Sequence, residues 1–241
     1  MINFFRKIRK KLADDNKPFR YMRYAVGEIV LVMVGILLAL QVNNWNTKRL
    51  RIEKERELLT SLIENLQINK DQLKAQISID SQSVSSSIII LKIIKSKMPY
   101  ADSLDFHFNQ PRKIYPPNLT ISAYSTIENY GFEIIRSKPL RMEIIKLFDD
   151  TYQELNKVIE SINRDVFGPS IEPYFLNNFE LMEQDNLKPN NYDFLIQDQQ
   201  LVNLLAFVRE IRQWHYELRL ECLNSVQELI QNIEYELSLN K

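Results

Sequence analysis

Residues 25–42 read AVGEIVLVMVGILLALQV, eighteen residues broken only by Glu28 near the start and Gln41 near the end. No Lys or Arg lies between Arg23 and Lys48. As a helix rising ~1.5 Å per residue the run reaches about 27 Å, close to the hydrocarbon thickness of a bilayer. A cleaved secretory leader is the competing interpretation. However, the 23 residues ahead of the run are long for a leader's charged start, and no A-x-A-like cleavage site follows Leu40. The pattern predicts a retained transmembrane helix over 24–46, with Trp45 as an interfacial anchor and Lys48 and Arg49 beyond it.

Two of the chain's four glycines, Gly27 and Gly35, fall inside this run and share a face with Ala39. Small residues on one face let a second helix approach closely, which is how helices associate in lipid. Glycine is also simply common in membrane helices, so composition alone does not decide between the two. Glu28 is the one ionisable side chain inside the run. An intramembrane carboxylate is unfavourable by several kcal/mol unless it is paired, protonated or near the surface. Three roles are open to it: an interfacial position within reach of Arg20 or Arg23, a pair with another transmembrane helix, or proton coupling.

The chain has 241 residues, 28.7 kDa and 31 basic against 31 acidic side chains. Its charge divides unevenly, with +6 over 1–23, −1 over 24–46 and −5 over 47–241. A neutral total with a basic head argues against nucleic acid and for a local anionic surface, the lipid bilayer. Eight Lys/Arg precede the span, whereas Lys48, Arg49, Arg51, Lys54 and Arg56 after it are diluted by Glu53, Glu55 and Glu57. The positive-inside rule then places residues 1–23 in the cytoplasm and residues 47–241 outside it, in the periplasm of a bacterium whose inner membrane is spanned. The head reads as an amphipathic helix, with Met1, Phe4, Phe5, Ile8 and Leu12 opposite Arg6, Lys7, Arg9, Lys10 and Lys11. Pro18 ends it, and a disordered basic tail is the alternative.

The start Phe4-Phe5-Arg6-Lys7-Ile8-Arg9, then Tyr24-Ala25-Val26-Gly27-Glu28-Ile29, then Gly35 through Asn46 (GILLALQVNNWN) together resemble a family of uncharacterised single-pass envelope proteins common in Bacteroidota. The resemblance covers about the first 50 residues. A looser likeness continues through Gly131 and Leu140-Arg141. It implies a membrane location and a helical C-terminal domain, and it implies no activity.

Beyond the span, the nine prolines leave 19–98 and 190–241 free of proline, room for long helices. In the first stretch Leu59, Leu62, Leu66, Leu73, Ile77, Val84, Ile88, Leu91, Ile94 and Met98 keep three-four spacing, interrupted by Asn69 and Asp80. Serines at 78, 81, 83, 85, 86 and 87 are poor helix formers and mark a place where this helix could break. A second amphipathic helix, with Ser137 as its cap, runs from about Leu140 and stops near Gly168-Pro169; a third runs from about Phe194 to Leu239; a shorter one, from Leu119 to Tyr130, ends at Gly131. No segment reads as a sheet. Stripes this apolar must pack together, so the expected fold is all-α: one transmembrane helix followed by an elongated antiparallel bundle of about four helices, with loops at 99–118 and 168–193.

Chemistry is sparse. Gly131 and Gly168 are the only glycines outside the span, so phosphate-cradling loops have no material. The one cysteine, Cys222, excludes an intrachain disulfide and a cysteine-based zinc site. Asp102, Asp105 and His107 are the only compact candidate for a cation, and a solvated loop histidine is the simpler interpretation. His215 falls on the apolar stripe as a hydrogen-bonded core histidine, too far from Cys222 to form a thiolate pair. No catalytic, cofactor or metal residues are assigned. The expected role is a non-enzymatic scaffold or accessory subunit of an envelope complex, binding a protein partner or a second copy of itself. A periplasmic sensory module that signals through a separate protein is the alternative. A scaffold calls for a dry core with an apolar patch outside, and a sensor for a pocket between helices.

Overall fold

In the computed structural model the described residues are 7, 10, 18–183 and 186–239. The chain divides into two units, Met1–Glu55 and Arg56–Lys241. It is overwhelmingly helical. The first long helix, α1, covers Pro18–Ser96, and the last, α8, covers Gln199–Leu239. Between them come α2 (Leu104–Asn109), α3 (Ser122–Tyr130), α4 (Lys138–Ile145), α5 (Tyr152–Ile162), α6 (Glu172–Asn178) and α7 (Tyr192–Leu195). A two-stranded antiparallel sheet pairs β1 (Phe179–Met182) with β2 (Asn186–Pro189), Leu181 standing opposite Leu187.

Several boundaries differ from the expected ones, each for a physical reason. The serine-rich stretch does not break α1. Ser85 and Ser87 donate back to the carbonyls of Ser81 and Ser83 at 2.9 Å, and Ser83, Ser86 and Ser87 are buried. Nor does the second helix stop at Gly168-Pro169. Two wide π-type segments, Lys146–Thr151 and Asn163–Ile171, join α4, α5 and α6 into one helical run, with Pro169 inside the second. The wider turn accommodates a residue that has no N–H to donate to the turn before it. Ser137 precedes α4, but its side chain makes no capping bond. The alternating Leu104, Phe106 and Phe108 lie in α2, and the sheet stands where a loop was expected. Gly131 does end α3, at φ +88°, a conformation that a side chain would strain.

Within residues 56–239 the core has two parts. The first gathers Leu59, Leu62, Leu66 and Leu73 of α1 with Ile127, Ile144, Phe148, Tyr152, Leu155, Val226 and Ile233. The second gathers Ile90 and Ile94 with Phe108, Phe167, Phe175, Leu187, Leu205 and Val208. Both long helices hold a seven-residue phase through both parts. On α1 the buried rows are Leu59-Leu66-Leu73-Asp80-Ser87-Ile94 and Leu62-Asn69-Gln76-Ser83-Ile90. On α8 they are Leu205-Arg212-Arg219-Val226-Ile233 and Leu201-Val208-His215-Cys222-Leu229. The buried face of α1 therefore keeps its polar members, whereas Ile88 and Met98 of the expected stripe are exposed.

Asn69 shows why. Its side-chain amide donates to the Thr120 carbonyl at 2.9 Å and to the Tyr152 hydroxyl at 3.0 Å, and its oxygen accepts from Thr120 N–H at 2.7 Å. One residue thus ties α1 to α5 and to the segment ahead of α3. Replacing Asn69 with Ala should lower stability by about 2–4 kcal/mol, since buried Tyr152 and the half-buried carbonyl and N–H of Thr120 lose their bonds at ~1 kcal/mol or more each. Urea unfolding followed by circular dichroism measures this, and a loss below 1 kcal/mol would contradict the arrangement.

Candidate functional site

The span expected at 24–46 lies within α1. The eighteen-residue window of highest hydropathy has a mean of 2.4, and none of it is buried within the chain. Leu31, Leu37, Leu38 and Val42 are each more than half exposed. Gly27, Gly35 and Ala39 are exposed, and a Cβ added at Gly27 or Gly35 would meet nothing within 4 Å among the described residues. Glu28 is partly buried and has a partner within the chain. Trp45 is exposed, with the Arg49 guanidinium 5.8 Å from its ring centroid, so an exposed aromatic and its cation stack one turn apart. Of the proposed head anchors, Lys7 and Lys10 lie in helical backbone with exposed side chains. Phe4, Phe5, Arg6, Arg9 and Lys11 fall outside the described residues.

A different constellation, unexpected from the sequence, lies in the second unit between the two cores. Asp80 of α1 forms ion pairs with Arg212, at 3.3 Å, and with Arg219, both from α8; all three side chains are at most 2% exposed. The guanidiniums also donate to the carbonyls of Lys113 and Tyr115, the latter at 2.9 Å, and Gln76 donates to the carbonyl of Pro116 at 3.1 Å. The segment from Lys113 to Thr120, which has no ladder of its own, is thereby strapped down by side chains from both long helices. Arg212 additionally stacks 4.8 Å from the centroid of Phe167.

Two guanidiniums on one carboxylate leave an excess positive charge in a dry layer. Burial pushes the Asp80 carboxyl up against the opposing pull of Arg219 and Arg212, and it lowers Arg212 to about 10. His215 sits between the two arginines on α8, fully buried, and neither ring nitrogen has a hydrogen-bond partner among the described residues. It is thus a core histidine as expected, but not a hydrogen-bonded one. Burial, reinforced by Arg212 and Arg219, lowers it to about 3, so it is neutral at physiological pH. Burial also pushes the Cys222 thiol up to about 12, leaving it unreactive within the first core.

The loop histidine and acids do not converge. Tyr100 donates to Asp105 at 2.7 Å, whereas His107 meets the Ser86 hydroxyl at 3.0 Å. Among the described residues no three His, Cys, Asp or Glu side chains are grouped to hold a metal. The signal for the charged layer was present in the sequence: Arg212 and Arg219 are seven apart, in phase with Leu205 and Val226, and Asp80 is in phase with Leu73.

Removing the carboxylate by Asp80→Asn should destabilise the fold by about 3–5 kcal/mol, because two buried guanidiniums lose their counter-charge. Thermal and urea unfolding report this, and a change under 1 kcal/mol would show the layer to be solvated. His215 has a folded pKa below its unfolded one, so the stability it favours is complete above pH ~6.5 and drains away as pH falls towards about 3. Relative to His215→Leu, the wild type should lose about 3 kcal/mol between pH 7 and pH 4. Parallel stability profiles for the two proteins would contradict this.

Comparison of the chain with protein-family models, with curated proteins and with solved structures found no match, so the likeness to the Bacteroidota envelope family rests on the residues quoted above.

Proposed function

We propose that this is a non-enzymatic single-pass membrane protein that acts as a scaffold or accessory subunit of an envelope complex. In this reading residues 1–23 face the cytoplasm, 24–46 cross the inner membrane, and the extracytoplasmic remainder forms an antiparallel bundle of about four helices. One observation carries it: the eighteen most apolar consecutive residues are helical, and the chain buries none of them itself. An uncovered surface of that hydropathy requires lipid or another helix around it. Gly27, Gly35 and Ala39 give a second helix room to approach, and Phe207 and Trp214 stand exposed seven residues apart on α8 as a second contact surface.

Among the described residues nothing lies within 4 Å of a Cβ added at Gly27 or Gly35, so Gly27→Leu and Gly35→Leu report on contacts with another molecule. Gentle detergent extraction of the tagged full-length protein should yield a particle containing a second protein or a second copy, and the double variant should lose most of it. A wild-type particle with the mass of one chain, or a complex indifferent to both leucines, would overturn the reading.

A further inference from the structure

The end of α1 carries an anomaly. Among the described residues Lys97 is the one non-glycine with positive φ, at 49°. It occupies the position just past the helix, where Met98 N–H bonds the Ile93 carbonyl and Lys97 N–H bonds that of Ile94. That closing pattern is usually made by glycine, and an ordinary side chain there is disfavoured by ~1 kcal/mol. Lysine thus stands where glycine is the unstrained choice, with its side chain exposed.

Lys97 lines a cavity of about 500 Å³, together with Pro99, Tyr100, Lys188, Pro189 and Tyr192. Its walls have a consistent chemistry. The Tyr100 and Tyr192 rings meet edge to face at 5.4 Å, and both hydroxyls are already engaged, Tyr100 with Asp105 and Tyr192 with the Met98 carbonyl at 2.7 Å. What these residues offer a ligand is ring surface, which the two prolines extend. Asn191 is similarly committed, its oxygen accepting from Phe194 N–H to cap α7. Lys97 and Lys188 are exposed and form no ion pair among the described residues, although Glu180 stands opposite Lys188 in the strand register. Within the lining Lys97 and Lys188 stand with one acid, Asp193, while Asp105 is held on the Tyr100 hydroxyl.

We propose that this cleft binds an acidic sugar unit, up to a disaccharide in size, its ring face on the tyrosines and prolines and its carboxylate or phosphate between Lys97 and Lys188. The volume suits such a ligand. Flat apolar faces beside mobile ammonium groups match a molecule that is apolar on one side of its ring and anionic at one substituent, whereas a neutral sugar leaves both lysines unused. The site holds whichever of the two roles the chain plays.

Calorimetric titration of the detergent-solubilised full-length protein tests this, with digalacturonate and glucose 6-phosphate as probes and maltose as the neutral control. At least one anionic probe should bind about tenfold or more tightly than maltose, and the one that does identifies whether carboxylate or phosphate is preferred. Lys97→Gly relieves the positive-φ strain, so it should leave Tm unchanged or raise it while weakening binding about tenfold; Lys188→Ala should weaken binding similarly. Failure of both anionic probes to bind at about 10 mM, binding of maltose equal to theirs, or full affinity in the two lysine variants would overturn the proposal.

Discussion

A carboxylate buried between two guanidiniums fixes the arrangement of the second unit. Asp80, Arg212 and Arg219 are individually the residues least suited to a dry interior, and each is there because the other two are. Their partnership sets which residue of α1 faces which residue of α8. Apolar contacts alone would tolerate a slip by one heptad along either row; a slip here would set Asp80 between one arginine and an apolar residue and leave the other arginine buried without its counter-charge. The spare donors then find the carbonyls of Lys113 and Tyr115, so the same charges that set the register also hold down the proline-rich segment between α2 and α3.

This explains what could be read in the sequence and what could not. Helical content, the apolar span and the glycine that ends α3 follow from local rules: length, periodicity and backbone freedom. The buried seam does not, because Asn69, Gln76 and Asp80 look like interruptions when one helix is read alone. They are interior residues whose partners lie 40 or more positions away. Following apolar residues past Leu73 leads onto Ile88 and Met98, which are exposed. The serine cluster misleads in the same way. Its short side chains disfavour an isolated helix, yet Ser85 and Ser87 bond back to their own backbone, and Ser83, Ser86 and Ser87 fill buried positions. The sheet was invisible for a different reason, since four-residue strands are too short for alternation to register.

The two kinds of surface on α1 are recognised by opposite criteria. In residues 29–40 the side chains are apolar or glycine and uncovered, and their identity hardly matters to this chain's own packing. In residues 59–94 each seventh position is covered, and identity matters a great deal. Substitutions in the first stretch therefore report on whatever surrounds the protein, and substitutions in the second on the protein itself.

The wide turns in the run from α4 to α6 set the phase of everything that follows them. A π-type turn holds roughly one residue more than an α-turn, so each advances the side-chain positions beyond it by about 100° around the axis. Before the second such segment the run supplies Phe148, Tyr152 and Leu155 to the first core; Phe167, from within it, and Tyr174 and Phe175 beyond it belong to the second. The run thus serves two cores that are not aligned along a single straight stripe. Its length is consequently not free to vary: one residue removed from Asn163–Ile171 would rotate the aromatic face of α6 by about 100° away from the second core.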